Sequence, residues 1–245
     1  MGWREFVQGL GHRAGIHIDY WPPRNYLGLR RQRTLRWLGV DVLFDVGANV
    51  GQYATDVRKW GYEGQIVSLE PQAAAFHELE AAAQNDPQWT VRRMGLGDTA
   101  GQAEMNISPA SPHSSLLSMG PRYLELAPEL AYVGTETVRI ETLDSVSAEF
   151  LKPSTRAALK LDVQGFEMNV LRGAPELLHR AVSIEAELLF SELYEGQAAA
   201  KELIDMFYDA GLRLAWLEPM PGSFDERTGT LDWADGMFVR MPDPT

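Results

Sequence analysis

The ten residues Val42-Leu43-Phe44-Asp45-Val46-Gly47-Ala48-Asn49-Val50-Gly51 decide the fold. Four of the first five are apolar and glycine ends the run, so residues 42–46 read as a short buried strand. Tyr53, Val57 and Trp60 then recur at helical spacing as far as Gly61, which places a helix directly after the loop. A glycine loop between strand and helix lets backbone approach a ligand closely, and the helix start offers unpaired N–H groups. The spacing is G-x-x-x-G, with Asn49 between the glycines and Asp45 ahead of them. It lacks the third glycine of the dinucleotide fingerprint G-x-G-x-x-G, which weakens an NAD-dependent oxidoreductase reading. Residues 65–69 form a second apolar run ending in Glu70-Pro71. An acid at that strand end, about twenty residues past the loop, can accept hydrogen bonds from both hydroxyls of a ribose. A tight turn by itself would need no such acid.

Outward from this stretch, strands and helices alternate. Strands are expected at 89–94, 157–163, 182–188, 212–217 and 236–240, with helices at 73–84, 167–178 and 197–210. Such near-continuous apolar strands separated by helices imply a parallel sheet covered on both faces. The rhythm lapses between 95 and 140, where only an inserted strand at 102–107 and a return strand at 138–140 are expected. Residues 108–115, rich in Pro and Ser, form a loop of the kind used for binding or left disordered. One domain over 41–245 follows, preceded by a helical extension over 1–40. Trp3, Phe6, Val7 and Leu10 mark a first amphipathic helix in that extension, and a second is expected near 25–38.

The chain of 245 residues carries a net charge of −12, unsuited to general nucleic-acid binding. It has no cysteine, which excludes thiolate metal sites and cysteine nucleophiles. No apolar stretch is long enough to span a bilayer and no secretory signal is visible, so a cytoplasmic location is expected. Charge is uneven: residues 1–40 sum to +5 and the rest to −17. The basic extension reads as a solvated helical face, a contact with an anionic substrate, an oligomer contact or a peripheral membrane contact. It is expected beside an acceptor pocket rather than in the cofactor site.

The second constellation is Leu159-Lys160-Leu161-Asp162-Val163-Gln164-Gly165-Phe166-Glu167. Lys160 and Asp162 share a strand face, and Asp162 lies near the carboxyl end of a strand expected beside residues 42–46. Glu185 and Glu187 alternate on the next strand and share a face likewise. Acids on a buried strand are costly unless paired or functional. His113 sits in the Pro/Ser loop, where it is either a surface residue or part of a covering loop.

Together these strings resemble the FkbM-type family of S-adenosylmethionine-dependent methyltransferases. The resemblance rests on Asp45–Gly51, Glu70-Pro71, Gly97-Asp98 with Gly101, Thr142-Leu143-Asp144-Ser145, Leu159–Glu167, Val170-Leu171-Arg172-Gly173-Ala174 and Glu185. It implies the α/β class I methyltransferase (Rossmann-like) fold, a seven-stranded sheet with an antiparallel last strand. It also implies S-adenosyl-L-methionine as cofactor, with Asp45, Gly47, Asn49, Gly51, Glu70 and Asp98 as binding positions. The implied reaction is O-methylation of a sugar, glycolipid or secondary metabolite. N-methylation of a small molecule and a non-catalytic partner role are the alternatives. Asp162 is the first candidate base, with Glu185 and His113 behind it, and Asp162 with Glu185 could hold Mg2+. Gln164 stands where the family usually has glutamate, so no role for that carboxylate carries over.

Overall fold

The structure, a computed structural model, describes residues 27–241. The expected helix at residues 3–10 lies outside them. Helix α1 (Leu27–Trp37) precedes β1 (Val42–Val46), all five residues of which are buried. The chain continues through α2 (Gln52–Lys59), β2 (Gln65–Leu69), α3 (Ala73–Ala83) and β3 (Trp89–Arg92). Next come β4 (Gly95–Leu96), β5 (Gly101–Ile107), α4 (Pro121–Leu126), β6 (Gly134–Glu141) and α5 (Leu143–Ser147). The doubly wound pattern resumes with β7 (Ala157–Leu161), α6 (Glu167–Arg172), α7 (Pro175–Arg180) and β8 (Ser183–Leu189). It ends with α8 (Ala200–Asp209), β9 (Leu212–Pro219) and β10 (Trp233–Arg240).

The main sheet has seven strands in the order β3-β2-β1-β7-β8-β10-β9. All neighbours are parallel except β10, which runs antiparallel to both β8 and β9. This is the class I methyltransferase arrangement. The winding reverses between β1 and β7, whose register sets Asp45 opposite Lys160. A crevice therefore opens beyond their carboxyl ends, where ligands of such sheets bind.

Two local departures from the sequence expectation have physical causes. The strand expected over 89–94 stops at Arg92, because Gly95 and Leu96 leave the main sheet to pair with β6. They join a separate three-stranded sheet, β4-β6-β5, built from the region where the rhythm lapsed. The single helix expected over 167–178 is broken at Gly173, whose α-carbon backs directly onto the Gly97 carbonyl: a Cβ there would lie 2.1 Å from that oxygen. Pro175 then opens α7 at a position where its missing N–H costs nothing. The carboxylate of Asp144 accepts from the N–H groups of Glu176 and Leu177, each at 2.9 Å. The Thr142–Ser145 motif thus serves helix packing.

Apolar side chains fill both faces of the sheet. Phe44, Leu159, Ile184 and Phe207 lie in the cluster on one face, and Leu43, Ile66, Leu79 and Ala158 in that on the other. Helix α1 belongs to the second face through Leu35, with Leu38 and Val40 just beyond it. Burying Leu35 contributes roughly 1.5–3 kcal/mol. No helix among the described residues is long and apolar enough to cross a membrane.

Candidate active site

The loop after β1 is held by its neighbour strand. The N–H groups of Gly47 and Ala48 both donate to the Leu69 carbonyl, at 3.0 and 3.1 Å. Gly47 has φ of +75°, and a Cβ there would sit 1.8 Å from the Asp162 carbonyl oxygen. Only glycine fits, because backbone from β1 and β7 meets at this point. Asn49 also occupies the left-handed region, with φ of +47°, which asparagine tolerates better than most side chains. That turn aims the Asn49 N–H at Glu70 Oε2, at 2.8 Å, while the Gln72 N–H donates to Glu70 Oε1, also at 2.8 Å. Each oxygen therefore holds one backbone donor and keeps a lone pair free. Burial pushes the Glu70 carboxyl up to about 7, against the pull of those two N–H groups and Lys160.

A cavity of about 330 Å3 lies over this loop. Gly47, Asn49, Glu70 and Asp162 line it together. Its apolar wall includes Leu69, Leu96, Met105 and Phe166, and its far side carries Arg31, Tyr53, Asp56 and Asp235. Burial, followed by the Glu185 charge, raises the Asp235 carboxyl to about 7.

Asp162 stands at the boundary with a second cavity of about 280 Å3, and Pro112 and Gln164 also face both. Its Oδ2 accepts from Lys160 Nζ at 3.0 Å and its Oδ1 from Gln164 Nε2 at 2.7 Å. Although Asp162 lies deep in the molecule, 39% of its side chain remains accessible because it fronts open space. Burial pulls its pKa up, yet the Lys160 ammonium and the bonds from Gln164 and Lys160 outweigh this and hold it below the usual range. Gln164, at φ of +54°, also donates to Glu187 Oε2 at 3.1 Å and accepts from the Tyr194 hydroxyl at 2.6 Å. Burial, with the Asp162 charge behind it, pushes the Glu187 carboxyl well above its ordinary range. Two neighbouring carboxyls are thereby driven apart, one held down and the other pushed up.

The remaining sequence candidates lie elsewhere. Asp45 is fully buried beneath the loop, its Oδ2 accepting from Ser68 Oγ at 3.0 Å, and it lines neither cavity. Gly51 packs against Leu79 and Trp89. Asp98 is exposed and lines neither cavity, because the Gly97–Asp98 turn packs on Gly173. His113 faces only the second cavity, with Nδ1 at 2.6 Å from the Tyr123 hydroxyl. Glu185 is enclosed by Arg31, at 2.5 Å from Nη2, and by the Tyr53 hydroxyl at 2.7 Å. It is not brought to Asp162, and with both oxygens taken the donor set does not fit a divalent ion. Among the described residues no group of three or more acids and histidines could hold a metal.

Arg31 carries α1 to the first cavity and not the second, while the rest of the expected basic extension, residues 1–26, lies outside the described residues. Sequence reasoning placed the arginines in a helix but had no signal for which one turned inward. It also gave no role to Tyr194 or Tyr123, whose side chains build the second cavity.

Fold and loop together define a class I methyltransferase-type α/β domain with a glycine loop and a strand-end acid at its crevice. More particularly, the chain belongs to the family of the methyltransferase FkbM domain, whose model matches residues 45–214. The hexuronic acid methyltransferase AglP of Haloferax volcanii is 24% identical over 151 residues. That match covers 60% of this chain and 56% of the relative, so the chain spans little more than half of that protein's length. Among solved structures, the precorrin-6y C5,15-methyltransferase of Geobacter metallireducens GS-15 is 9% identical, with TM-score 0.46, covering 87% of this chain and 86% of that one. The 1,6-didemethyltoxoflavin-N1-methyltransferase of Burkholderia thailandensis is 11% identical, with TM-score 0.43, covering 98% and 87%.

Proposed function

We propose that the protein is an S-adenosylmethionine-dependent O-methyltransferase acting on a hydroxyl of a sugar, glycolipid or secondary metabolite. The observation that carries this reading is the position of Asp162, on the shared wall between a cavity floored by Glu70 and a second cavity. Family membership supports methyl transfer, and the name of the Haloferax relative gives a sugar acid as that protein's substrate.

The residues present suit the cofactor. Glu70 keeps one lone pair per oxygen for the two ribose hydroxyls, and Phe166 and Leu96 give apolar surface for a base. Arg31, Asp56 and Asp235 offer both signs of charge to an amino-acid end. When bound, S-adenosylmethionine supplies a methyl group already activated for transfer. The chain must then align an oxygen and receive its proton. Asp162 is ionised and held in place from both sides, so it can accept the hydroxyl's hydrogen bond and orient its lone pair. As the new C–O bond forms, the hydroxyl proton becomes strongly acidic, and a carboxylate of low basicity suffices to take it. Glu185, enclosed by Arg31 and Tyr53, is not available for that step.

The test is transfer of labelled methyl from S-adenosylmethionine into a panel of cell extracts, with the product identified by mass spectrometry. An O-methylated product formed by wild type and lost in Asp162→Asn supports the reading. Absence of both transfer and calorimetric binding of S-adenosylhomocysteine contradicts it.

A further inference from the structure

The second cavity lies beside a site that already accounts for a nucleoside, and its own chemistry is different. At about 280 Å3 it lies just below the usual span of small-molecule sites, about 300–1,000 Å3. It is a space for one ring rather than for a chain of rings. Tyr123, Tyr194 and Trp233 supply aromatic surface. Leu126, Leu130, Leu189 and Leu193 add aliphatic wall, of which Leu126 remains largely exposed and so marks the rim. The polar atoms come from Asp162, Gln164, Glu187 and His113.

Charge narrows the occupant further. No lysine or arginine among the described residues lines this cavity. Lys160 faces the first cavity and is paired with Asp162. Arg122, on the helix that carries Tyr123, is drawn to Asp225 and Asp232, each at 2.8 Å. Burial lowers the pKa of His113, which leaves its ring neutral near pH 7 beside the Tyr123 hydroxyl. An anion entering here would find no free cation among the described residues to pair with, since Lys160 is already held by Asp162, and an unpaired charge is strongly unfavourable in a partly desolvated site. Gln164 reinforces this, since its amide donates to both carboxyls where a glutamate would add a third.

Hydroxyls suit the same walls. A sugar hydroxyl both donates and accepts, matching two carboxyls, an amide and an imidazole. The C–H face of a sugar ring packs on aromatic surface, and the leucine rim fits an apolar substituent. We infer that this cavity is the acceptor subsite and that it selects an uncharged sugar ring carried on an apolar group, rejecting sugar acids. The inference rests on the methyl-transfer reading above and deepens it.

The experiment is calorimetric, with S-adenosylhomocysteine titrated first and the sugars added to that complex. The probes are p-nitrophenyl β-D-glucoside and β-D-galactoside against the matching glucuronide and galacturonide, which differ by the C6 carboxylate. At least one neutral glycoside should bind about tenfold or more tightly than its uronide partner, the size expected when a carboxylate lacks a counter-charge. Leu126→Arg, which sets a cation at the rim, should narrow that ratio. Uronides binding as tightly as the glycosides would overturn the inference. So would failure of all four sugars to bind at millimolar concentration while S-adenosylhomocysteine binds. Failure of S-adenosylhomocysteine itself would overturn the transfer reading, and this inference with it.

Discussion

On the Glu70 side of Asp162 the cavity is shaped by main chain, whereas on the Tyr194 side it is shaped by side chains from distant segments. In the first, Gly47 and Asn49 adopt positive φ, the loop N–H groups clip to the Leu69 carbonyl, and backbone donors fix both Glu70 oxygens. In the second, Tyr123 comes from α4, Leu189 from β8, Trp233 from β10, and Tyr194 from the chain after β8. Main-chain geometry dictates residue type, because only glycine tolerates the close approach and a carboxylate answers one N–H with each oxygen while keeping a lone pair free on both. Side-chain walls dictate little more than size and apolarity. The first kind of site is common to many ligands of one type; the second can change occupant by a few substitutions.

Mutation tests this contrast. The largest effect is expected at Arg31, a long-range side chain that lines the backbone-built cavity. Its side chain is 12% accessible and meets that of Glu185, which is 3% accessible. Arg31→Ala leaves that carboxylate buried with Tyr53 as its remaining close partner, at an expected cost of about 3–5 kcal/mol in urea unfolding. A change within 0.5 kcal/mol, the ordinary scale of a surface substitution, would show that α1 is not integral to the site.

Gly47→Ala comes next. Its Cβ would overlap the Asp162 carbonyl at a left-handed φ, so a loss of roughly 3 kcal/mol in stability is expected, with weakened S-adenosylhomocysteine binding. Comparable substitutions on the side-chain wall, such as Leu126→Ala at an exposed rim position, should stay within about 1 kcal/mol. Asp162→Asn tests the junction. It should leave S-adenosylhomocysteine affinity within a few-fold of wild type and lower turnover by about 10²-fold, the usual scale for a group that takes a proton. Turnover at the wild-type rate would move that role to His113.

The smallest effect is in pH. Burial raises the Glu70 carboxyl from 4.5 to about 7, so the folded protein without ligand favours its protonated form. Stability contributed by that proton is full below about 4.5 and declines as pH rises through about 7. Ribose binding requires the opposite state, because only the carboxylate has acceptors on both oxygens. S-adenosylhomocysteine affinity should therefore rise roughly tenfold between about pH 6 and 8, following the ionised fraction of such a group. In Glu70→Gln calorimetry that rise should shrink to what Asp235, raised to about 7 in the same cavity, contributes.

The same contrast explains what the sequence allowed to be read. The strand–loop–helix around Gly47, the acid at Glu70, the adjacency of residues 42–46 to the Lys160 strand and the antiparallel last strand all follow from periodicity, glycine spacing and the family resemblance. Asp162 was placed at the crevice for the same reason. Asp98, by contrast, belongs to a turn whose glycine packs on Gly173, and spacing does not distinguish a packing motif from a binding one. Glu185 and Glu187 alternate identically in sequence, yet one meets Arg31 and the other Gln164. Which partner each acid finds depends on segments more than a hundred residues away or across a loop, and no local pattern encodes that.

The backbone-held Glu70 carboxylate is expected to bind the nucleoside, with the second cavity taking no part. Calorimetric titration of S-adenosylhomocysteine into wild type, Glu70→Ala and Leu126→Trp tests it directly. Glu70→Ala should lose about 1–3 kcal/mol of binding free energy, the loss expected when charge-assisted hydrogen bonds are removed. Leu126→Trp, which narrows only the second cavity, should bind as wild type does. Undiminished affinity in Glu70→Ala, or an equal loss in Leu126→Trp, would contradict the account.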